Sequence, residues 1–492
     1  MEVVYPRCAG LDVHKKTVVA CRVRPTAQGQ PERETQTFGT TTREILRLGD
    51  WLAAWEVTHV VMESTGEYWR PVYNLLEGQF ALLLANPQHV RQVPGRKTDV
   101  GDAEWLAELL RHGLVAGSFV PPQAQRDLRA LTRTRMGLVQ DRTRVANRLQ
   151  RVLEDANLKL ASVVSDIRGV SAQEMLRELV AGQEGAAELA QLARGALRHK
   201  IPQLEAALEG RLRQEHRFLV SEHLAHLDFL DERVEAFSAE IVAQMGRMGA
   251  PEPPNDPTSP GEPAAAGAGQ EAPEGAAGEG PSEDPPAEAR PVEGRDRQVV
   301  GERVVDTVTG EVVGYTRFLP PLSPLEAVEL LQGIPGIGRL VAETVVAEVG
   351  TDMSRFPSAD HLASWAGLAP GNNRSAGRNT SGKTRPGNRT LRTALIQAAS
   401  AVTHIRAPNY LTAQYHHLVG RRGAKRAKMA VAHSMIVAIY HMLARHEPYR
   451  DLGGDYYDRR KKERLVRYYT KRLEDLGCEV TVQPTATPAV AA

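Results

Sequence analysis

The order of apolar and polar positions changes character several times along the 492 residues. Over 1–118, β-rich runs alternate with helical ones. VVACRVRP and ETQTFGT read as strands, REILRLGDWLAAW has helical spacing, THVVMES is β-rich, EYWRPVYNLLEG is helical and FALLLAN is a short buried strand. This predicts an α/β domain. From 119 to 248 the pattern becomes nearly unbroken helix. There QAQRDLRALTRTRMGLVQDRTRVANRLQRVLEDA carries Leu and Val at three- and four-residue steps, with eight arginines between Arg126 and Arg151. The spacing predicts a long antiparallel helical hairpin, a coiled-coil region with one basic edge. Residues 249–297 are Pro, Gly, Ala and Glu without apolar periodicity, and read as a disordered linker because they cannot bury enough surface to offset the entropy of ordering. Across 298–320, two alternating runs around TGE predict a β-hairpin. A helical domain over 321–450 follows, then a charged helix and frayed tail over 451–492. The predicted fold class is α/β plus all-α.

Composition narrows the function. The 42% apolar content can supply two to four cores in a chain of this length. Cys8, Cys21 and Cys478 form no CxxC pair, which argues against a disulfide scaffold or structural zinc and for a cytoplasmic location. MEVVYPRCAG lacks the features of a signal peptide, and FALLLA is too short to span a bilayer, so no membrane partner is expected. The formal charge of +1 hides an asymmetry: residues 251–300 hold eleven acidic side chains against three arginines. Between Asp360 and Glu447 there is no acid at all, but thirteen Arg or Lys. Natural surfaces mix signs, so a one-signed stretch of this length points to a polyanion, and nucleic acid is preferred over a merely solvated basic face.

Four carboxylates in the first domain have a pattern that chemistry can use. Asp12 is expected at the start of the first strand, within AGLDVHKKTVVACRV, and Glu63 at the end of VVMES. Asp99 and Asp102, in GRKTDVGDAEWLAELLRHG, are expected to open a helix at i and i+3 and share a face in its first turn. Acids at a helix start also serve as caps, so the pair alone is ambiguous. Converging beside a sheet, four such groups need divalent cations to stay ionised, and hard oxygen donors select magnesium or manganese over zinc. Two ions could then stabilise the attacking and leaving oxygens of a phosphoryl displacement. The strand and helix order matches an RNase H-like fold.

These stretches carry a family resemblance. GLDVHKKT, VVMESTGEYWRPVYNLL and NPQHVRQVPGRKTDVGDAEWLAELLRHGL resemble the N-terminal RuvC-like domain of the DEDD insertion-sequence transposases, the family named after insertion sequence 110. The resemblance implies that Asp12, Glu63, Asp99 and Asp102 are the catalytic metal ligands. It also marks Lys97, in the family's KTD motif, as a nucleic-acid contact.

In the C-terminal domain, LLQGIPGIGRLVAETVVAEVG has a helix-hairpin-helix pattern whose PGIG turn can present backbone N–H groups to a phosphate. RFPSADHLASWAGLAP reads as a capped helix leading into the exposed loop NNRSAGRNTSGKTRPGNR. Serines are common turn residues, but Ser375 and Ser381 stand among Arg374, Arg378, Lys383, Arg385 and Arg389, with Arg392 just beyond. A phosphate held there would lie near a hydroxyl, and a serine ester to a DNA end would keep the phosphodiester energy for rejoining. The span from LLQGIPGIG to TLRTAL is similar to the transposase domain of the same family, which implies a serine nucleophile. The SAG element matches best and assigns Ser375, with Ser381 in TSGKT as the alternative.

The resemblance further implies donor and target DNA bridged by a structured guide RNA, homodimers or homotetramers with a composite site, and a prokaryotic, nucleoid-associated location. Arg129, Arg133, Arg144 and Arg148 on the basic helical edge, with the acid-free C-terminal stretch, are suitable surfaces for RNA and DNA phosphates. The acidic linker and β-hairpin depart from the simpler family pattern. Two other readings stay open: a structure-selective endonuclease using the four acids and water, and a non-catalytic nucleic-acid-binding derivative.

Overall fold

The computed structural model describes residues 2–64, 66–85, 101–115, 117–183, 185–249, 297–300, 303–306, 312–315, 319–371, 373–375, 378–381, 384, 387–459 and 462–482. The linker of 249–297 lies almost wholly outside them, as does the tail after Val482. The described chain forms two compact units, 1–122 and the residues from 123 onward.

The first unit is built on a six-stranded sheet of order β3-β2-β1-β4-β5-β6. Strands β1 (Cys8–Val13), β2 (Thr17–Pro25) and β3 (Pro31–Gly39) form an antiparallel meander. Strands β4 (His59–Glu63) and β5 (Ala81–Ala85) run parallel to β1. They are reached through helices α1 (Thr42–Ala53) and α2 (Trp69–Leu76), because parallel neighbours need a crossover. A two-residue β6 (Gly117–Ser118) pairs with β5. Helix α3 (Asp102–Arg111) covers the opposite face. Leu11, Val18, Phe38, Val60 and Met62 pack on α1 and α2, whereas Cys8, Cys21, Val23 and Val61 pack on Ala103, Leu106, Ala107 and Leu110 of α3. The result is a three-layer α/β sandwich in which β1 and β4 are apolar on both faces.

The expected first strand is in fact two. A turn closed by His14 N–H donating to Thr17 O at 2.9 Å separates β1 from β2, and Asp12 therefore sits near the end of β1, not at the start of a strand. No glycine or proline marks that turn.

In the second unit two long helices, α4 (Gln123–Asp155) and α9 (Gln214–Gly249), pack antiparallel. The predicted unbroken hairpin is interrupted at its far end. Helices α5 (Leu160–Val163), α6 (Val170–Ala181), α7 (Ala186–Ala190) and α8 (Ile201–Leu208) build a separate core there with Leu149, Leu153, Leu224 and Leu227. The predicted β-hairpin is a three-stranded meander, β7 (Arg297–Val300), β8 (Arg303–Asp306) and β9 (Val312–Tyr315); its TGE turn lies outside the described residues.

The largest core joins Leu128, Ile241 and Met245 of the long helices to α10 (Pro324–Leu331), α11 (Arg339–Val349), α12 (Ala359–Trp365) and α13 (Arg389–Val402), and to α14 (Tyr410–Arg422) and α15 (Ala424–Arg445). Helix α15 has the length and composition to cross a membrane, but Val431, Met435, Ile436 and Ile439 are the centre of this core. Two further helices, α16 (Tyr456–Arg459) and α17 (Lys462–Glu474), end the described chain.

Candidate active site and nucleic-acid interface

Strand alternation decides where the acids point. Leu11 pairs with Met62 across β1 and β4, so Asp12 and Glu63, one residue further on each strand, are neighbours at the same end of the sheet. Leu11 and Met62 face α1 and α2, and the next residue on a strand faces the other way, which turns both carboxylates toward the α3 side. Helix α3 runs antiparallel to β1. The Cys8 thiol donates to Ala107 O at 3.6 Å, and Gly10 lies directly against Ala103 and Ala107. The helix therefore begins, at Asp102, at the end of the sheet that carries Asp12 and Glu63. Its positive dipole end favours negative charge at that position.

Asp12 is partly exposed, and its Oδ2 lies 2.9 Å from Nε2 of His14, a neighbour the sequence reading passed over. Asp99 and Lys97 lie outside the described residues. The helix starts at Asp102, behind Gly101. Among the described residues no group of three His, Cys, Asp or Glu stands close enough to hold an ion. The four predicted ligands are all carboxylates, a set that suits a hard divalent ion and not zinc.

The serine stretch, predicted as an irregular loop, is a short antiparallel hairpin: β10 (Asn373–Ser375) with β11 (Arg378–Ser381). Ser375 pairs with Arg378, and Asn373 with Ser381. A two-residue connection ending in glycine, Ala376–Gly377, suits such a turn, a pattern that the polar composition masked. Those two residues, Lys383 and Arg385 lie outside the described residues.

The chain before and after the serine stretch is held together. Leu368 and Ala369 N–H donate to Ala363 O at 2.9 and 3.2 Å, and Asn388 N–H donates to Trp365 O at 3.1 Å. Gly387 crosses Gly367 so closely that a Cβ on it would stand 2.3 Å from Gly367 N. Asn388 caps α13 by accepting from Leu391 N–H at 3.0 Å, and its Nδ2 donates to Glu348 at 2.7 Å. Glu348 is fully buried and accepts both Nε and Nη2 of Arg133, at 2.7 and 2.8 Å. Arg129 donates to the carbonyls of Ala347 and Glu348.

The predicted basic edge is thus divided. Arg129 and Arg133 turn toward α11, and Arg135 is buried at 2.5 Å from Glu343. Arg133 keeps part of its side chain in solvent, and further along α4 Arg144, Arg148 and Arg151 are exposed. On α13, Arg389 is exposed and Arg392 partly so, and Arg421, Arg422, Lys425 and Arg426 extend an exposed basic run at the junction of α14 and α15. Of Arg374 and Arg378 only the strand positions are described. The structure adds Glu348 and Asn388 to the reading. An acid bracketed by apolar residues, as in LVAETVVAEVG, is the signal that such a buried partner leaves in a sequence.

The helix-hairpin-helix pattern corresponds to α10 and α11. Gly336, at φ +87°, packs where a Cβ would lie 2.7 Å from Ala398 O, so the turn also seats α13.

Comparison with known proteins places both halves. A DEDD transposase model of the IS110 type, described as "Transposase", matches residues 9–157, and the "Transposase IS116/IS110/IS902 family" model matches residues 328–417. The chain is similar to the transposase for insertion sequence element IS1111A of Coxiella burnetii, 34% identical over 128 residues, which is 25% of this chain and 35% of that protein. It is also similar to the insertion element IS110 uncharacterized 43.6 kDa protein of Streptomyces coelicolor, 42% identical over 83 residues, 16% of this chain and 19% of that one. The chain thus spans about a third or less of the length of these relatives. With the carboxylates at the end of the sheet inside the first family match and the serine hairpin inside the second, the chain belongs to the IS110 family of transposases.

Proposed function

We propose that this protein is a DNA transposase that cuts and rejoins the ends of an insertion sequence by way of a serine–DNA ester. The observation that carries this reading is the alignment of Asp12 and Glu63 at one end of the sheet, facing the helix that begins at Asp102. Asp12, Glu63, Asp99 and Asp102 would hold magnesium or manganese, which when bound supplies charge compensation at the scissile phosphate. The sheet order, a three-strand meander extended by two parallel strands, supports an RNase H-like reading of this unit.

Ser375 is the proposed nucleophile. Its Oγ attacks phosphorus, one P–O bond to the sugar breaks as the Ser–O–P bond forms, the serine proton passes to solvent and the leaving sugar oxygen takes one up. One phosphodiester bond is exchanged for another, so rejoining by the reverse step needs no energy source. Arg374 and Arg378, beside Ser375 in the hairpin, are suited to stabilise the phosphorane charge. The contacts of Gly387 with Gly367 and of Asn388 with Trp365 support a fixed approach of the chain to this stretch.

Specificity is assigned to a structured guide RNA that pairs with donor and target DNA. The acid-free basic run, the exposed Arg144, Arg148 and Arg389 and the partly exposed Arg392 support backbone recognition of this kind. Homodimers or homotetramers would bring the carboxylates at the sheet end of one subunit to the serine of another.

The test is covalent trapping: protein, its co-purifying RNA, magnesium and labelled element-end DNA on a denaturing gel. The expected result is a protein-linked band that is lost in Ser375→Ala, in Asp12→Ala and with EDTA, and kept in Ser381→Ala. Nicked DNA without an adduct in any lane would overturn the serine assignment in favour of a hydrolytic nuclease.

A further inference from the structure

An open cleft of about 530 Å³ lies between α4, the end of α12 and the start of α13, lined by Arg129, Arg133, Trp365, Asn388, Arg389 and Thr390. Its charges do not balance. The Glu348 carboxylate at its side is taken by Arg133 and Asn388, while Nε of Arg129 stands 3.6 Å from Oε2, beyond hydrogen-bond range, and turns to backbone carbonyls. Among the described residues that line the cleft, three carry guanidinium groups, Arg129, Arg133 and Arg389, and none carries a carboxylate. Burial pushes the Arg129 guanidinium down to about 10; Glu348 opposes the fall, and Arg133 and Arg355 add to it. An anion entering the cleft would relieve that surplus.

Two further features say which anion. The start of the 14-residue α13 lines the same place through Asn388, Arg389 and Thr390, although the Leu391 N–H is taken by the Asn388 cap, and helix N-termini favour phosphate. Trp365, partly buried against Phe356, supplies an aromatic face with the Arg129 guanidinium 6.0 Å from its centroid. A phosphate site beside an aromatic wall fits a nucleotide whose base is unpaired, since stacking on a side chain requires a base free of its duplex partner. The volume falls within the range of about 300–1,000 Å³ usual for ligands of that size.

We propose that this cleft binds one phosphodiester of a single-stranded DNA segment, with the phosphate on Arg129, Arg133 and Arg389 and the adjoining base on Trp365, beside the chain that follows the serine stretch. This deepens the DNA reading above and rests on it. Glu348 acts as a positioning residue, holding Arg133 and the Asn388 cap at the two sides of the cleft.

The experiment is an anisotropy titration of the full chain with a labelled single-stranded oligodeoxynucleotide of about 15 nucleotides, in EDTA, over a salt series. Arg389→Gln removes an exposed side chain and leaves folding unthreatened. It is expected to weaken binding several-fold and to flatten the slope of log K against log salt by about 0.7, the value for one single-strand phosphate contact. Trp365→Leu, checked for folding by circular dichroism, is expected to weaken single-strand binding about tenfold and duplex binding little. Losses for Arg389→Gln no larger than for Arg43→Gln, an exposed arginine on α1 given no part in binding, equal losses on duplex, or losses confined to an RNA of the same sequence would each overturn the assignment. Because the titration needs no cleavage, failure of the serine assignment in the trapping assay leaves its outcome untouched, and a null result here leaves the trapping result standing.

Discussion

The close approach of α3 to β1 at Gly10 ties the stability of the first unit to its candidate site. Replacing Gly10 with alanine would put a Cβ 2.2 Å from Ala103 O and 2.5 Å from Ala107 N, where ordinary contact begins at 3.4 Å. Both obstacles are backbone atoms of a helix, so no side-chain rotation relieves the clash, and α3 must retreat by roughly 1.2 Å as a body. Overpacking of this kind costs about 1–3 kcal/mol. At about 4 °C per kcal/mol for a domain of this size, the first unit should melt about 4–12 °C lower. The same shift carries Asp102 away from Asp12, and a displacement near 1 Å at a reacting centre costs about 10²-fold in rate. The assays are thermal unfolding by circular dichroism and the initial rate of adduct formation on element-end DNA. As a contrast, Gly137→Ala in the interior of α4, with nothing within 4 Å of its added Cβ, should stabilise the second unit by about 0.5–1 kcal/mol. A Gly10→Ala protein that melts within about 1 °C of the parent and forms adduct at the parent rate would refute this seating of α3.

Two other outcomes are expected in the second unit. Arg135 and Glu343 are a buried pair at 2.5 Å, and Glu343 also accepts Arg339 Nε at 2.9 Å, so Arg135→Met alone should cost about 1–3 kcal/mol in chemical denaturation, while Arg135→Met with Glu343→Leu should recover most of it; additive losses would show that the two charges are not compensating each other. Burial holds the His441 imidazole below its ordinary value, Arg445 adds to the effect and Glu447 opposes it. The unfolded chain then binds the proton that the fold refuses, so stability is complete above the unfolded value of about 6.5 and declines as pH falls below it. Melting temperature should drop between about pH 7 and about pH 5, less steeply in His441→Gln, and equal slopes for the two proteins would count against this linkage.

Local periodicity carried much of the first unit. The alternation in VVACRVRP and THVVMES and the three- and four-residue steps of REILRLGDWLAAW are properties of neighbours in the chain, and the strands and helix they predict are present. Boundaries were less legible. The turn between Asp12 and Thr17 has no glycine or proline, and the short helices of 160–208 repeat the same apolar steps as the long helices on either side, so the sequence presented them as continuous. Residue type and order alone made Asp12, Glu63 and Asp102 candidates, and the polar run around Ser375 a place of interest. Sequence did not decide that Asp12 and Glu63 leave the sheet on one face, since that depends on the register of two strands some fifty residues apart. Nor did it separate the arginines of α4 into those that meet acid and those that meet water. Glu343 and Glu348 lie more than 200 residues from Arg135 and Arg133. Charge compensation acts through space, so only the packing of α4 on α11 determined which guanidinium groups are neutralised and which are left facing an open cleft.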